Sequence, residues 1–256
     1  ELYPIRFGNL AFKKVDIKGG NLSQGQQKSG TVTVANLGKQ PVTVKFSDVS
    51  EGLSIRISPN PVPVNSTAKI SYTVTADRQH WGKNYYYATP LVDGRQHKAV
   101  VSPASEKEPV AAGAEAIVAE PNPELGAGKS RIGIFTYTKE NFSNLTEKER
   151  NDGSNPIADE STFSFGKVKA GTNVDCKFTF TNKGKSPFRI YKVDSESSHV
   201  KAQAFADVPA GGKGDLKMTF DTKGYPAGEC LIVLTLTTNS PLRPIINLYL
   251  TGWVSK

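Results

Sequence analysis

The chain carries two copies of one strand–turn–strand pattern, and this repeat constrains the fold more than any other feature. "TVTVANLGKQPVTV" occupies residues 31–44, and "KFTFTNKGKSPFRI" occupies residues 177–190, 146 positions later. At this fixed offset, ten of the 55 positions from Thr33 to Tyr87 are identical, and no gap is needed. The chain is therefore predicted to contain the same module twice.

Apolar and polar residues alternate in both copies, and the apolar positions correspond. The matched apolar sets are Val32 and Val34 with Phe178 and Phe180, Val42 and Val44 with Phe188 and Ile190, and Ile70, Tyr72 and Val74 with Leu216, Met218 and Phe220. A period of two places each set on one face of a strand. Both copies are therefore predicted to be half-buried sheets.

In each copy, one strand is followed by Asn-x-Gly-x-x-Pro and then by another strand; the motif begins at Asn36 and again at Asn182. Asn hydrogen-bonds nearby backbone groups, Gly admits a positive φ, and Pro does not continue a central strand. This segment is predicted to be a corner between two strands.

The second copy accommodates seven short strands with turns about 8 to 12 residues apart. They are expected near 162–165, 175–181, 188–193, 200–205, 214–221, 230–238 and 245–253. Val, Ile, Thr, Tyr and Phe are frequent and Met occurs once, which favours strands over helices. The predicted fold class is all-β, with two tandem immunoglobulin-like β-sandwich domains, the first with a long insertion.

The predicted domains are 1–140 and 158–256, joined by a polar linker at 141–157. Matching "RIGIFTYT" to "INLYLTG" leaves an insert near 92–130 in the first domain alone. The insert is rich in Ala, Glu, Pro and Gly, which fits an extended surface loop; a partner-binding arm is the functional alternative. Within the linker, Thr146 and Glu149 have capping-box spacing, so one helical turn is expected.

The second copy also resembles a known family. From residue 163 onward it reads "FSFGKV", "FTNKGKSPF", "DVPAGGKGDLKMTFDTKGYPAGE" and "TTNSPLRPIINLYLTGWV". These motifs resemble the bacterial domain of unknown function 1573, a family similar to the Hydin-like immunoglobulin-like domains of exported proteins. The resemblance implies a β-sandwich, export to the periplasm or cell surface, and no established activity. Many members place Cys-Gly-Cys where this chain has Ser197, Ser198 and His199, so a thiol or metal role tied to that pair does not carry over.

Alternation places Cys176 and Cys230 on the inward sides of the second and sixth strands of the second copy. These strands face each other across an immunoglobulin-like core, so a disulfide between the two cysteines is one candidate state. Two buried reduced thiols are the other. The first copy has Gly30 and Asn84 at the matching positions, so both cysteines are absent from it together. The sequence leaves both states open, because it does not give the sulfur geometry.

The formal net charge of +8 suggests a polyanionic partner, but no run of basic residues exceeds two. Nucleic-acid binding needs several cations on one face, so evenly solvated strands are the better interpretation and no nucleic-acid partner is expected. A weak attraction to acidic glycans or to a membrane surface stays open. No apolar stretch is long enough for a transmembrane segment.

The sequence lacks the common motifs of catalysis and cofactor binding. His80, His97 and His199 do not have H-x-x-x-H spacing, and there is no G-x-S-x-G, Walker loop or dinucleotide fingerprint. No catalytic residue, cofactor or metal site is predicted, and the chain is not expected to be an enzyme. A hydrolase with paired carboxylates is the least favoured alternative.

The aromatic run "HWGKNYYY" at 80–87 supplies the candidate ligand contacts. Exposed Trp and Tyr rings stack on sugars or anchor protein partners, which makes Trp81, Tyr85 and Tyr87 the candidate ligand-contact aromatics. The alternative is ordinary packing, with Tyr86 inward like Ile232 and Trp81 covering the open end of the core.

Two functions of different class follow. A non-catalytic binding or adhesion module for an unknown protein or glycan predicts an apolar or aromatic surface patch. A structural spacer of the cell envelope predicts a charged surface without such a patch. The chain begins at Glu1 without a methionine, as signal-peptide removal would leave it, so an exported protein of the periplasm or cell surface is expected. The protein is also expected to be a monomer.

Overall fold

The computed structural model describes residues 2–77, 79–102 and 130–256, and its contacts divide the chain into two compact units. Unit 1 comprises Glu1–Asp77 and Asn84–Tyr137, and unit 2 comprises Arg78–Lys83 and Thr138–Lys256. Most of the insert predicted near 92–130 lies outside the described residues.

The first half of the chain contains short and long strands, and β4 and β7 show the predicted alternation of buried and exposed residues. They are β1 Ile5–Phe7, β2 Leu10–Phe12, β3 Asp16–Ser23, β4 Gln27–Asn36, β5 Val44–Ser47, β6 Leu53–Ser58, β7 Thr67–Thr75, β8 Gly82–Val92, β9 Arg95–Gln96, β10 Val100–Val101 and β11 Ile132–Lys139.

The second half has one short helix and a second set of strands. These are α1 Glu147–Asn151, β12 Pro156–Ala158, β13 Thr162–Lys169, β14 Asn173–Asn182, β15 Ile190–Ser195, β16 Val200–Ala202, β17 Lys213–Asp221, β18 Gly228–Thr238 and β19 Ile245–Ser255.

Both units order their strands in the same way. The sheets of unit 2 run β12-β14-β17-β16 and β13-β19-β18-β15. Those of unit 1 run β10-β1-β2-β4-β7-β6 and β3-β11-β8-β5, with β9 beside β8. In each unit, one sheet has the B-E-D neighbours of an immunoglobulin domain and the other has its G-F-C neighbours. The predicted all-β fold with two immunoglobulin-like sandwiches is confirmed.

The cores are made of the side chains that alternation placed inward. In unit 1, Val32, Val34 and Ile70 are at most 6% exposed. In unit 2, the three apolar residues Leu216, Met218 and Phe220 on β17 are at most 1% exposed. Burying such a side chain contributes about 1.5 to 3 kcal/mol, so these residues are a main source of the attraction between the two sheets of each unit.

The repeated Asn is the hydrogen-bonding centre of the corner in each unit. In unit 1, Asn36 Nδ2 donates to Gln40 O at 2.8 Å and to Val62 O at 3.0 Å, while Asn36 Oδ1 accepts from Gly38 N at 2.9 Å. Asn36 is fully buried. The side chain therefore satisfies backbone groups that the turn removes from the sheet.

The corner of unit 2 repeats this arrangement. Asn182 Nδ2 donates to Ser186 O at 2.8 Å and to Val208 O at 3.1 Å, and Asn182 Oδ1 accepts from Gly184 N at 3.0 Å. The shared "N-x-G-x-x-P" letters thus encode one hydrogen-bonded corner that is built twice. This hydrogen bonding is the physical reason why the Asn recurs in both copies.

Three local features of unit 2 can be compared with the sequence prediction: one strand is new, one strand is shorter than predicted, and the helix cap is as predicted. Strand β12 was not predicted, because its three residues are too few to show alternation; it pairs with the end of β14. The strand expected at 200–205 ends at Ala202, since Phe205 turns inward and contacts Phe188 with ring centroids 5.7 Å apart. Helix α1 has the predicted capping box, formed by Thr146 and Glu149.

Candidate functional site

Trp81, the first of the three candidate aromatics, belongs to unit 2 and is half-buried there. Its indole stacks on Tyr191 of β15, with ring centroids 4.3 Å apart and planes 8° apart. The Tyr191 hydroxyl donates to Glu140 Oε2 at 2.7 Å. Burial, followed by this hydrogen bond, raises the pKa of Tyr191 well above its ordinary value. One face of the indole is therefore already occupied by a tyrosine held in place.

The backbone next to Trp81 is anchored to the same strand. Lys83 N donates to Asp194 Oδ2 at 2.9 Å, and Lys192 Nζ donates to Lys83 O at 3.1 Å. Gly82 has φ +73°, and a Cβ there would meet the Asp194 carboxylate, so only glycine fits this position. The segment that presents Trp81 is thus fixed by its own packing in unit 2.

Tyr85 and Tyr87 belong to unit 1 and lie on one face of β8. Their ring centroids are 5.9 Å apart, and both rings are half-buried. The Arg131 guanidinium carbon lies 4.1 Å from the Tyr87 centroid and 5.1 Å from the Tyr85 centroid. The guanidinium therefore makes a cation–π interaction with each of the two rings. Gly133 of β11 leaves space for Tyr85, because a Cβ there would overlap the ring.

The structure thus pairs the two tyrosines but places the tryptophan in the other unit. Tyr86 is inward and 8% exposed, as its match with Ile232 indicated, and its hydroxyl donates to Thr75 O at 3.1 Å. A ligand-contact role for Trp81, Tyr85 and Tyr87 stays a prediction.

An exposed apolar patch that sequence analysis did not single out lies on the outer face of β18 and β19 in unit 2. Leu231 on β18 is 61% exposed, and Trp253 on β19 is 49% exposed. The strand register makes them diagonal neighbours. Half-buried Val233 and Tyr249, which are directly opposed, continue the same face. These four residues are called the Leu231–Trp253 patch.

Charged side chains border this patch. Trp253 is paired across the sheet with Lys167 of β13 on one side and with Glu229 of β18 on the other. An aromatic and aliphatic centre with a polar rim is the composition of a small protein-binding or sugar-binding surface. The patch can contact a ligand without any rearrangement of its strands.

The sequence did contain a signal for the patch. Cys230 and Ile232 are inward, so the residue between them must face outward, and it is Leu231. The parity that places the two neighbours in the core therefore also predicts an exposed leucine at position 231.

Cys176 and Cys230 are free thiols in the structure, and both are buried. Cys176 Sγ donates to Met218 O at 3.4 Å, and Cys230 Sγ donates to the Tyr225 hydroxyl oxygen at 3.4 Å. Burial, assisted by the charge of Asp175, raises the pKa of Cys176 to about 11. Burial also raises the pKa of Cys230. Neither thiol is poised to act as a nucleophile, which requires the thiolate.

The described residues contain no group of three or more His, Cys, Asp or Glu side chains that could hold a metal ion. His199 is engaged locally, with Nδ1 at 2.9 Å from Asp221 O. Within the same part of the chain, no helix has the length and apolar character needed to cross a membrane.

Each unit consists of two stacked, mainly antiparallel sheets, one with the B-E-D strand order of an immunoglobulin domain and one with its G-F-C order. The protein is therefore a tandem of immunoglobulin-like β-sandwiches. Residues 157–254, which form most of unit 2, match the family described as "Protein of unknown function (DUF1573)". The resemblance inferred from the sequence motifs is confirmed. No curated protein matches the chain.

Among solved structures, the chain is similar to a protein of unknown function from Porphyromonas gingivalis W83. The sequence identity is 12%, the TM-score is 0.63, and the match covers 96% of this chain and 100% of that one. A PapD-like domain of human CEP192 matches with a TM-score of 0.34 and 10% identity, over 45% of this chain and 96% of that domain. The first likeness supports the fold alone.

Proposed function

We propose that this protein is a non-catalytic binding or adhesion module of an exported protein, and that the Leu231–Trp253 patch contacts its protein or glycan ligand. The exposure of Leu231 and Trp253 carries the proposal. A structural spacer, the alternative function, has no need of an apolar patch, and exposed apolar surface is an aggregation hazard when it has no partner.

The site is rigid enough for recognition, because its side chains project from paired strands. Leu231 and Trp253 lie within the longest strand pair of unit 2, which joins Gly228–Thr238 to Ile245–Ser255. Few side chains are immobilised on binding, so little conformational entropy is lost. The same face presents Thr251 for hydrogen bonding.

The test combines a glycan array with pull-down from the native envelope, using the purified chain and two variants. Trp253→Ala should weaken ligand capture by roughly 30-fold, because a central aromatic contact contributes about 2 kcal/mol. Leu242→Ser is the matched control, since Leu242 is 46% exposed but lies outside the patch. Capture that survives Trp253→Ala would show that the patch is not the site. The absence of any capture by the wild-type chain would favour the spacer.

Export to the periplasm or cell surface is part of the same proposal and is supported by the family resemblance. Fractionation of the native cells with an antibody against the chain tests it. The protein is expected in the envelope or medium fraction. Recovery with cytoplasmic markers would contradict export without affecting the patch.

A further inference from the structure

A second surface of different character lies on unit 1, on the outer face of strands β4, β7 and β6. The register aligns their outward side chains in three rows across the sheet. The rows are Ser29, Thr73 and Ser54; Thr31, Ser71 and Arg56; and Thr33, Lys69 and Ser58. These nine residues are called the cationic face.

The charges on the cationic face have one sign. Arg56 and Lys69 are exposed, and neither makes an ion pair with any residue that the structure describes. None of the other seven side chains is a carboxylate. The two cations are diagonal neighbours on β6 and β7, about 7 to 8 Å apart at their Cα atoms. Two like charges at this separation are mutually unfavourable, and an anion between them would remove that cost.

The corresponding face of unit 2 serves as an internal comparison, because the repeat offset of 146 aligns the outward residues of β4 and β7 with those of β14 and β17. Asp215 occupies the position of Lys69. It accepts from Thr179 Oγ1 at 2.7 Å and lies 3.4 Å from Lys177 Nζ. Asp175 occupies the position of Ser29 and accepts from Thr219 Oγ1 at 2.9 Å. On β14 and β17 the outward carboxylates contact a lysine and two threonines of the same face, whereas β4 and β7 contribute no carboxylate to the cationic face.

A shallow groove of about 470 Å³ covers the first two rows of the cationic face and is lined by Arg56 and by hydroxyl-bearing residues of all three strands. Lys69 belongs to the third row and lies beside the groove, outside its lining. Ser29 Oγ and Thr73 Oγ1 lie 2.7 Å apart, so the hydroxyls already form part of a hydrogen-bonded row. Hydroxyl groups donate and accept, which matches the hydrogen bonding of sugar hydroxyls.

We propose that the cationic face binds an acidic polysaccharide, with Arg56 and Lys69 pairing with its carboxylate or sulfate groups and the Ser and Thr hydroxyls contacting its sugar hydroxyls. Two cations are too few for a nucleic-acid site, which neutralises several phosphates. The rows of small hydroxylated side chains favour a polyhydroxylated chain that lies flat on the sheet. The inference goes beyond the proposed function and concerns a different face of a different unit.

The test measures binding of a short oligogalacturonate by titration calorimetry at low salt. Its fully methyl-esterified form has the same backbone without the charges and is the ligand control. The wild-type chain should bind the charged form at least about tenfold more tightly than the ester, and binding should weaken with added salt. Chemical-shift changes in the wild-type chain should map to β4, β6 and β7, which provides a readout without any variant.

Paired substitutions separate the site from overall charge. Arg56→Gln with Lys69→Gln should weaken binding by about tenfold or more. Lys177→Gln with Lys217→Gln removes the same charge from the matching face of unit 2 and should change binding less than about twofold. Trp253→Ala should leave this binding unchanged, so failure here and failure of the proposed function are distinguishable.

Three results would overturn the inference. The first is no binding of the charged oligosaccharide, or equal binding of its ester. The second is an equal loss in both paired variants, which would show a net-charge effect only. The third is tighter binding of duplex DNA through Arg56 and Lys69, which would make the face a phosphate surface.

Discussion

Replacing Asn182 by Ala should destabilise unit 2 strongly, although it removes only one small polar group. The side chain is fully buried. Besides the three bonds of the corner, its amide donates to Pro209 O at 3.3 Å and its carbonyl accepts from Asn155 N at 3.1 Å. The amide has two hydrogens, so its three donor contacts correspond to about two full hydrogen bonds. Two donated and two accepted bonds are therefore lost.

The expected loss follows from these counts. A buried hydrogen bond contributes about 1 kcal/mol net, so four bonds correspond to about 4 kcal/mol. Water can reach part of the corner once the side chain is removed, which reduces the loss to about 3 kcal/mol. Because a domain is stable by only about 5 to 15 kcal/mol, this is a large fraction. The melting temperature of a domain of this size should fall by about 12 to 24 °C.

The assay is urea unfolding followed by tryptophan fluorescence. Both tryptophans, Trp81 and Trp253, belong to unit 2, so the signal reports the unfolding of this unit. Asn173→Ala is the control, since Asn173 is exposed on the same strand and should change stability by less than about 0.5 kcal/mol. If Asn182→Ala proved as stable as Asn173→Ala, the corner would not depend on the Asn side chain. Hydrogen bonding would then not explain why this Asn recurs in both copies.

Three further predictions rest on buried or paired groups of unit 2. Leu216→Ala should cost about 2 to 5 kcal/mol in the same urea assay, because Leu216 is fully buried; a loss below about 1 kcal/mol would mean that the core collapses around the gap. In a Cys230→Ser variant at pH 8, a thiol reagent should modify native Cys176 at least a hundredfold more slowly than the urea-unfolded chain, because a pKa of about 11 leaves about one thiolate in a thousand. Equal rates would show that the thiol is not shielded. Hydrogen bonds from two lysines lower the pKa of Asp152 from 3.8 to about 2, so its stabilisation is present above pH 3.8 and is lost as the pH falls through about 2. Asp152→Asn should flatten this part of the acid-unfolding profile, and an unchanged profile would contradict the pairing.

The strands and their faces could be read from the sequence, because a strand has a side-chain period of two. The parity of Phe178, Phe180 and Leu216 is enough to predict the core of unit 2. Strand β12 could not be predicted, because three residues are too few to show a period of two. The end of β16 at Ala202 could not be predicted, because it depends on the tertiary contact between Phe205 and Phe188.

The candidate site was less accessible to sequence reasoning. The aromatic run drew attention to Trp81, whose indole is stacked on Tyr191, a residue 110 positions away in the sequence. A single sequence does not show that two residues so far apart in the chain are in contact. The outward parity of Leu231 is visible in the sequence, but its proximity to Trp253 is set by the register between β18 and β19.

The sequence by itself determined that this protein would be two β-sandwiches, because alternation and the repeated corner are local properties that each strand and turn carries in its own residues. Only the tertiary structure decided which outward side chains stay uncovered and which charges find partners. Arg56 and Lys177 are both outward cations in the sequence, yet only Lys177 has a carboxylate beside it. That difference arises from the register between strands, which brings together residues far apart in the chain.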